Sequence, residues 1–75
     1  MSHNRSSENF CRNVRTLREK HGLTQKQMAE IMETSVYSVR LMEQGKLPPH
    51  LPYTVLYGLA DYFKLPADAF FLEML

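Results

Sequence analysis

The sequence has little cysteine, no tryptophan and no long hydrophobic run. Its single cysteine, Cys11, excludes an intramolecular disulfide, and it does not combine with the three histidines in a zinc-binding spacing. No apolar stretch approaches the roughly 20 residues that a membrane-spanning helix needs, and no signal peptide precedes the first amphipathic segment. We therefore expect a cytoplasmic protein with no metal and no cofactor.

Charge of one sign is also scarce, because the 75 residues carry a formal net charge of only +1. The charges are unevenly distributed, however, with a net charge of +3 over residues 1–46 and −2 over residues 47–75. A hydrophobic content of 44% favours a folded chain over a disordered one, and this length allows one domain with a small core. The first half of the chain is therefore the candidate for binding a polyanion.

Hydrophobic residues recur at helical spacing along the chain, and no segment shows the alternation of a strand. We predict an all-α protein with five helices, in which residues 1–6 form a flexible tail and residues 7–75 form the domain. The five predicted helices start near residue 6 and at residues 25, 36, 52 and 66, and they end near residues 21, 32, 44, 63 and 74. The last two begin with prolines, a residue that suits the first position of a helix.

The second and third predicted helices are short, close together and separately capped. Thr24 followed by Gln27 is a capping-box pattern, which starts the second helix. Ser35 is the candidate N-cap of the third helix, and Gly45 stands where a left-handed residue ends it. Two capped helices separated by a tight turn are typical of a helix-turn-helix. Their predicted core residues are Met28, Ala29, Met32, Val39 and Met42.

Residues at fixed spacings extend this pattern over most of the chain: Arg18, Gly22-Leu23-Thr24-Gln25, Met28-Ala29, Ser35, Val39, Met42, Glu43-x-Gly45, Leu59-Ala60 and Leu65-x-x-Asp68. On these residues the chain resembles the DNA-binding domain of Cro/C1-type repressors, the XRE family, from about residue 9 to residue 72. The resemblance implies a lambda-repressor-like five-helix fold. It also implies a bacterial or phage transcriptional regulator, not an enzyme, that binds double-stranded operator DNA as a homodimer.

The resemblance makes the third helix the recognition helix. Arg40 is the candidate for reading guanine, because its fork matches O6 and N7. Gln25 is expected to contact a phosphate at the start of the second helix, where backbone N–H groups are unpaired. Gln44 would read adenine or hold a phosphate, Tyr37 would contact a phosphate and Val36 would pack on a thymine methyl group. The complete set of candidate DNA-binding residues is Gln25, Lys26, Ser35, Val36, Tyr37, Arg40, Leu41, Gln44 and Lys46.

Three features depart from the family pattern. Glu33 and Thr34 occupy the turn where the family has Gly-Val, and a positive φ at Glu33 would cost about 1 kcal/mol. Leu41 stands where the family usually has a polar residue, and it can read only a methyl group. The loop after Gly45 is also longer than usual, which makes a phosphate contact by Lys46 less firmly implied than one by Gln25.

Arg18 and Glu43 occupy positions that form a partly buried ion pair in the family, and we interpret them as structural residues instead of DNA contacts. The apolar C-terminal end is more than one small core can bury, and a surplus apolar patch is typical of an interface. We expect Phe70 to contribute to the core as well. The residues assigned to a dimer interface are Phe70, Phe71, Met74 and Leu75.

A second hypothesis keeps the fold but changes the partner. The face formed by Val36, Tyr37 and Leu41 is apolar, and the net charge is low for a nucleic-acid binder. Such a face could bind protein, as in an antirepressor or an antitoxin. Gln25, Arg40, Gln44 and Lys46 on one side of the helix-turn-helix favour DNA over this alternative.

Overall fold

A computed structural model describes residues 6–48 and 51–72 of the chain. Over these two ranges the backbone forms four α-helices and one short 3₁₀ helix, with no strand, so the all-α prediction is confirmed. No helix within these ranges is long and apolar enough to cross a membrane. The elements are α1 (Ser6–Lys20), α2 (Gln25–Met32), α3 (Val36–Glu43), α4 (Thr54–Phe63) and the 3₁₀ helix Ala67–Phe71.

The fifth predicted helix is the 3₁₀ helix, so the count of five α-helices is not confirmed. Its backbone bonds span three residues instead of four, from the Ala69 N–H to the Pro66 carbonyl and from the Leu72 N–H to the Ala69 carbonyl. The residue before this helix, Pro66, has an extended backbone, with φ −65° and ψ 148°. The predicted end of the helix, at Met74, lies outside the described residues.

The other helix boundaries differ from the prediction by at most two residues. α4 begins at Thr54 and not at Pro52, because the Pro52 carbonyl accepts from the Val55 N–H in a three-residue turn. α3 ends at Glu43, and Gln44 is its C-cap. Ser6 is the first residue of α1 and so does not belong to the predicted tail. The rest of that tail lies outside the described residues.

The hydrophobic core lies where the helical periodicity predicted it. α2 packs against α3 and α4, while α1 packs against α3 and the 3₁₀ helix. All five predicted core residues of α2 and α3 are buried, which confirms the periodicity of both helices. The buried cluster consists of Phe10, Cys11, Val14, Leu17, Met28, Ala29, Met32, Val39, Met42, Val55, Leu59 and Phe70.

One buried polar side chain connects α1 to the C-terminal part of the described chain. Asn13 is only 2% exposed, and its amide donates to the carbonyl oxygens of Phe70 and Leu72, each at 2.9 Å. One turn earlier in α1, the Asn9 amide donates to the Phe71 carbonyl at 3.1 Å. The carbonyls of the 3₁₀ segment therefore find their donors on α1, which stabilises a segment too short to persist alone.

Candidate nucleic-acid interface

The start of α2 has the capping geometry that the sequence predicts. The Thr24 hydroxyl accepts from the Gln27 N–H at 3.0 Å, and the Gln27 side-chain oxygen accepts from the Thr24 N–H at 2.8 Å. This reciprocal capping box starts the helix at Gln25, whose backbone N–H belongs to the first turn and so lacks an intrahelical partner. α2 therefore presents a fixed, partly positive end at the surface.

The turn between α2 and α3 has a left-handed residue at its centre. Glu33 has φ 56° and ψ 45°, and the Thr34 N–H that follows it donates to the Ala29 carbonyl at 2.9 Å. This closes α2 in the manner usually built with glycine. Glu33 is exposed, and as a non-glycine residue at this φ it carries backbone strain.

α3 is fixed at both ends. The Ser35 hydroxyl caps its start by accepting from the Ser38 N–H at 3.1 Å. At its end Gly45 has φ 85°, and its N–H donates to the Met42 carbonyl at 2.9 Å. The Lys46 N–H donates to the Leu41 carbonyl at 3.0 Å, which completes a Schellman motif. The side chains of α3 are thus displayed from a rigid, short helix.

The solvent face of α3 is more polar than its sequence indicates. Tyr37 is 69% exposed, and Arg40 and Gln44 are exposed beside it. Leu41 is half-buried. Val36, which we expected to point outward, is half-buried and packs against the core, because the first turn of α3 lies close to the rest of the domain. The exposed face therefore combines an aromatic ring, a guanidinium and an amide.

The remaining candidate residues lie around this face. Lys26, Ser35 and Lys46 are exposed, while Gln25 is half-buried at the start of α2. Lys46 directly follows the C-terminal turn of α3, and Lys26 follows Gln25. Lys26 and Lys46 therefore lie near the first and last residues of the α2–α3 unit, and the contact of Gln25 with Glu43 brings the start of α2 against the end of α3.

Arg18 of α1 and Glu43 of α3 form a two-pronged ion pair. The Arg18 Nε donates to one carboxylate oxygen of Glu43, and Nη2 donates to the other at 3.1 Å. The Arg18 Nη1 donates to the Leu23 carbonyl at 2.9 Å. The two side chains are only 17% and 8% exposed, and the hydrogen bond with Glu43 raises the pKa of Arg18. The pair therefore links α1, the approach to α2 and the end of α3.

A connection that the sequence analysis missed joins this ion pair to α3's solvent face. The Gln25 amide nitrogen donates to Glu43 at 3.1 Å, and the Gln25 amide oxygen accepts from the Arg40 Nε at 3.3 Å. The sequence assigned Gln25 only a phosphate contact. Arg40 and Glu43 are three residues apart and so share one face of α3. An amide near that face can bond both of them, and this spacing is the signal in the sequence that could have indicated the contact.

The residues assigned to a dimer interface divide into three groups. Phe70 is fully buried in the core, so its side chain is not available at the surface, and this assignment was wrong. Phe71 is half-buried and stacks on Phe10, with ring centroids 5.3 Å apart. Met74 and Leu75 lie outside the described residues. The 3₁₀ helix that carries Phe70 packs against α1 and α4.

A shallow cleft of about 350 Å³ lies between α1 and the end of α3. It contains the edge of Cys11, and burial raises the pKa of this thiol, which makes it a poor nucleophile near neutral pH. Arg12 and Arg15 line the cleft together with Glu8 and Glu43, so it carries charges of both signs.

Comparison with known proteins supplies one match. A family model described as a helix-turn-helix domain matches residues 10–70, which include all four α-helices except the first four residues of α1. No curated protein and no solved structure matches the chain significantly. The matched range contains α2, the turn and α3 with both of their caps.

Proposed function

The chain belongs to the helix-turn-helix domain family, and on this basis we propose that it is a sequence-specific transcriptional regulator of bacterial or phage origin. Helix-turn-helix domains bind DNA by placing the second helix of the motif in the major groove. In this proposal α3 is the recognition helix of a cytoplasmic homodimer of the Cro/C1 type. Repression follows from occupation of an operator, without a cofactor and without catalysis.

The observation that carries the proposal is the exposed face of α3. Val39 and Met42 anchor the helix in the core, while Tyr37, Arg40 and Gln44 are presented together to solvent. An arginine fork suits guanine O6 and N7, and a glutamine amide suits adenine N6 and N7. A helix held by caps at both ends can enter a groove without first becoming ordered.

The surrounding residues have supporting roles in the proposed complex. Gln25 and Lys26, at the positive end of α2, contact phosphates, and Lys46 does so beyond the end of α3. The Ser35 hydroxyl and the Tyr37 phenol are further phosphate donors. Leu41 and the exposed edge of Val36 contact thymine methyl groups.

Dimerisation is proposed through the C-terminal end of the chain. Phe71, Met74 and Leu75 are the interface candidates that remain after Phe70 is assigned to the core. Leu72, directly after Phe71, is 60% exposed, and Tyr62 on α4 is 52% exposed, which leaves apolar surface for a partner copy. A two-fold dimer would match two half-sites about one DNA turn apart.

The test is selection of the purified protein on a randomised DNA duplex pool, followed by a salt titration of the winning sequence. We expect a pseudo-palindrome with half-sites about 10 base pairs apart and an affinity that falls steeply with salt. Arg40→Ala should then relax one base position in each half-site.

A failure to enrich any sequence, with weak binding even at low salt, would reject the proposal. The face containing Tyr37 and Leu41 would then be tested for binding to a protein, the function of an antirepressor or antitoxin. The burial of Val36 makes that apolar face smaller than the sequence indicated, which favours DNA.

A further inference from the structure

Four side chains form an unbroken series of hydrogen bonds from the interior to the solvent face of α3. Arg18 donates to Glu43, Gln25 donates to the same Glu43 carboxylate, and Arg40 donates to Gln25. The series begins at a side chain that is 17% exposed and ends at the exposed Arg40. Gln25 is the member that connects the ion pair to the exposed guanidinium.

The chemistry of the neighbours permits only one orientation of the Gln25 amide. Its nitrogen faces the Glu43 carboxylate, which can only accept, and its oxygen faces the Arg40 guanidinium, which can only donate. The reverse orientation would set donor against donor and acceptor against acceptor. Two donors of Arg18 hold the Glu43 carboxylate in place. Because this carboxylate in turn holds the Gln25 nitrogen, the partly buried ion pair fixes the position of the Gln25 oxygen.

We infer that Gln25 is a positioning residue for sequence readout, which holds the Arg40 guanidinium in the orientation that meets the base edge. This inference rests on the proposed function and deepens it. Within the described part of the chain, Gln25 engages only the Nε of Arg40, so both Nη groups stay available for a base. Restricting a long, flexible side chain before binding reduces the entropy lost when it binds.

The positioning role is distinct from a phosphate contact by the same residue. An amide nitrogen has two hydrogens, and only one is used by Glu43, so Gln25 can donate the second to a phosphate. A phosphate contact alone would weaken binding to all sequences equally. Positioning of Arg40 would instead lower discrimination at the one base that Arg40 reads.

The experiment begins with the operator selected by the wild-type protein and the base position that Arg40→Ala relaxes. Discrimination is the ratio of the Kd values for the operator changed at this position and the selected operator. Gln25→Met keeps the length of the side chain and removes its polar atoms. We expect it to lower discrimination at this position by about tenfold, within the range of a lost arginine–guanine contact, and to leave the other positions unchanged.

The double variant Gln25→Met/Arg40→Ala should discriminate between bases at this position no less than Arg40→Ala alone, because both changes remove the same contact. Lys26→Ala is the matched control: it is exposed on the same turn, and we expect equal weakening on every sequence. If Gln25→Met lowers the helical circular dichroism signal, the test is repeated with Gln25→Ala, because alanine is a good helix former.

A second readout requires no DNA. The NMR order parameter of the Arg40 Nε–H in the free protein should fall in Gln25→Met and stay unchanged in Lys26→Ala. Unchanged discrimination in Gln25→Met, equal weakening on all sequences, or an unchanged order parameter would each overturn the inference.

The outcomes separate this inference from the function on which it rests. If the wild-type protein enriches no sequence, the proposed function and the inference both fail. If it enriches a sequence but Arg40→Ala relaxes no base, the regulator stands and only the inference is overturned.

Discussion

Gly58 of α4 lies directly against the backbone of Ile31 in α2, so that a Cβ at position 58 would stand 2.3 Å from the Ile31 carbonyl oxygen. Real Cβ atoms do not approach a backbone oxygen so closely. α2 and α4 can therefore pack at this distance only because position 58 has no side chain. The contact places α2, and with it the start of the helix-turn-helix, on the core.

Gly58→Ala should destabilise the protein although alanine is the better helix former. The gain in helix propensity is about 1 kcal/mol, whereas forcing α4 away from α2 costs about 1–3 kcal/mol or more. Urea unfolding followed by circular dichroism measures the net loss. Asp61→Ala, at an exposed position of α4, is the control and should be neutral or stabilising. A Gly58→Ala variant as stable as Asp61→Ala would contradict this reading of the contact.

Glu33→Gly should stabilise the protein. Glu33 has φ 56°, a conformation that costs a non-glycine residue about 1 kcal/mol, and part of this gain is lost to the greater freedom of glycine in the unfolded chain. A net gain of about 0.5 kcal/mol would raise Tm by about 2–4 °C in a domain of this size. Differential scanning calorimetry measures this shift.

Glu33→Gln separates the backbone effect from the charge, because it keeps the Cβ and removes the carboxylate. It should leave Tm nearly unchanged. Lys64→Gly tests the same argument at the end of α4, where φ is 58°. The backbone explanation is wrong if Glu33→Gln raises Tm as much as Glu33→Gly does.

The helix-turn-helix was largely predictable from sequence, and the contacts between distant segments were not. Thr24, Gln27 and Ser35 act on backbone groups three residues away, so their capping roles can be read locally. The contact of Gly58 with Ile31 depends on how closely two helices approach, which no local pattern specifies.

The C-terminal end shows the same limit. A proline at the first helical position predicted a fifth helix from Pro66, but the segment forms a 3₁₀ helix whose carbonyls accept from asparagines on α1. Asn13 lies 57 residues from the Phe70 carbonyl that it binds. From sequence alone, the Asn13 side chain could equally well have been assigned to the solvent face of α1. No local pattern shows which unpaired carbonyl oxygens of a distant segment lie close to it.

Asn13→Leu should therefore destabilise the protein more than Asn9→Leu. The first change leaves two carbonyl oxygens near the core without a donor, at about 1–3 kcal/mol each, whereas Asn9 is half-buried and makes one such bond. Chemical denaturation of both variants gives the comparison. Equal losses would mean that the two Asn13 hydrogen bonds contribute no more than the single bond of Asn9.

Asn13→Asp adds a pH test of the same contact. A carboxylate facing two carbonyl oxygens is disfavoured, so the pKa of this new side chain should rise above its unfolded value of about 3.9. A group whose folded pKa is raised adds stability below its unfolded pKa, and this contribution is lost as pH rises through the folded pKa. Asn13→Asp should thus lose stability relative to Asn13→Leu between about pH 4 and pH 7.

Arg18→Met should cost about 3 kcal/mol of unfolding free energy, since it leaves the Glu43 carboxylate, which is 8% exposed, without its main partner. Glu43→Met should cost a similar amount for the converse reason. The double variant should lose less than the sum of the two, because no charge is left unpaired. Urea titrations of the four proteins give the coupling energy. Additive losses would show that the ion pair does not act as a unit.

Lys46→Ala should reduce the salt dependence of DNA binding without changing which sequence is selected. Lys46 is exposed directly after the C-terminal turn of α3, where it is proposed to neutralise one phosphate. Losing one such contact lowers the slope of log K against log salt by about 1. Fluorescence anisotropy on the selected operator at several salt concentrations measures the slope.

Lys20→Ala is the control, because Lys20 lies beside Phe63 and Leu65 instead of α3. Equal slopes for the wild type and Lys46→Ala would remove Lys46 from the DNA contacts, while a lower slope for Lys20→Ala would move the phosphate path toward the end of α1.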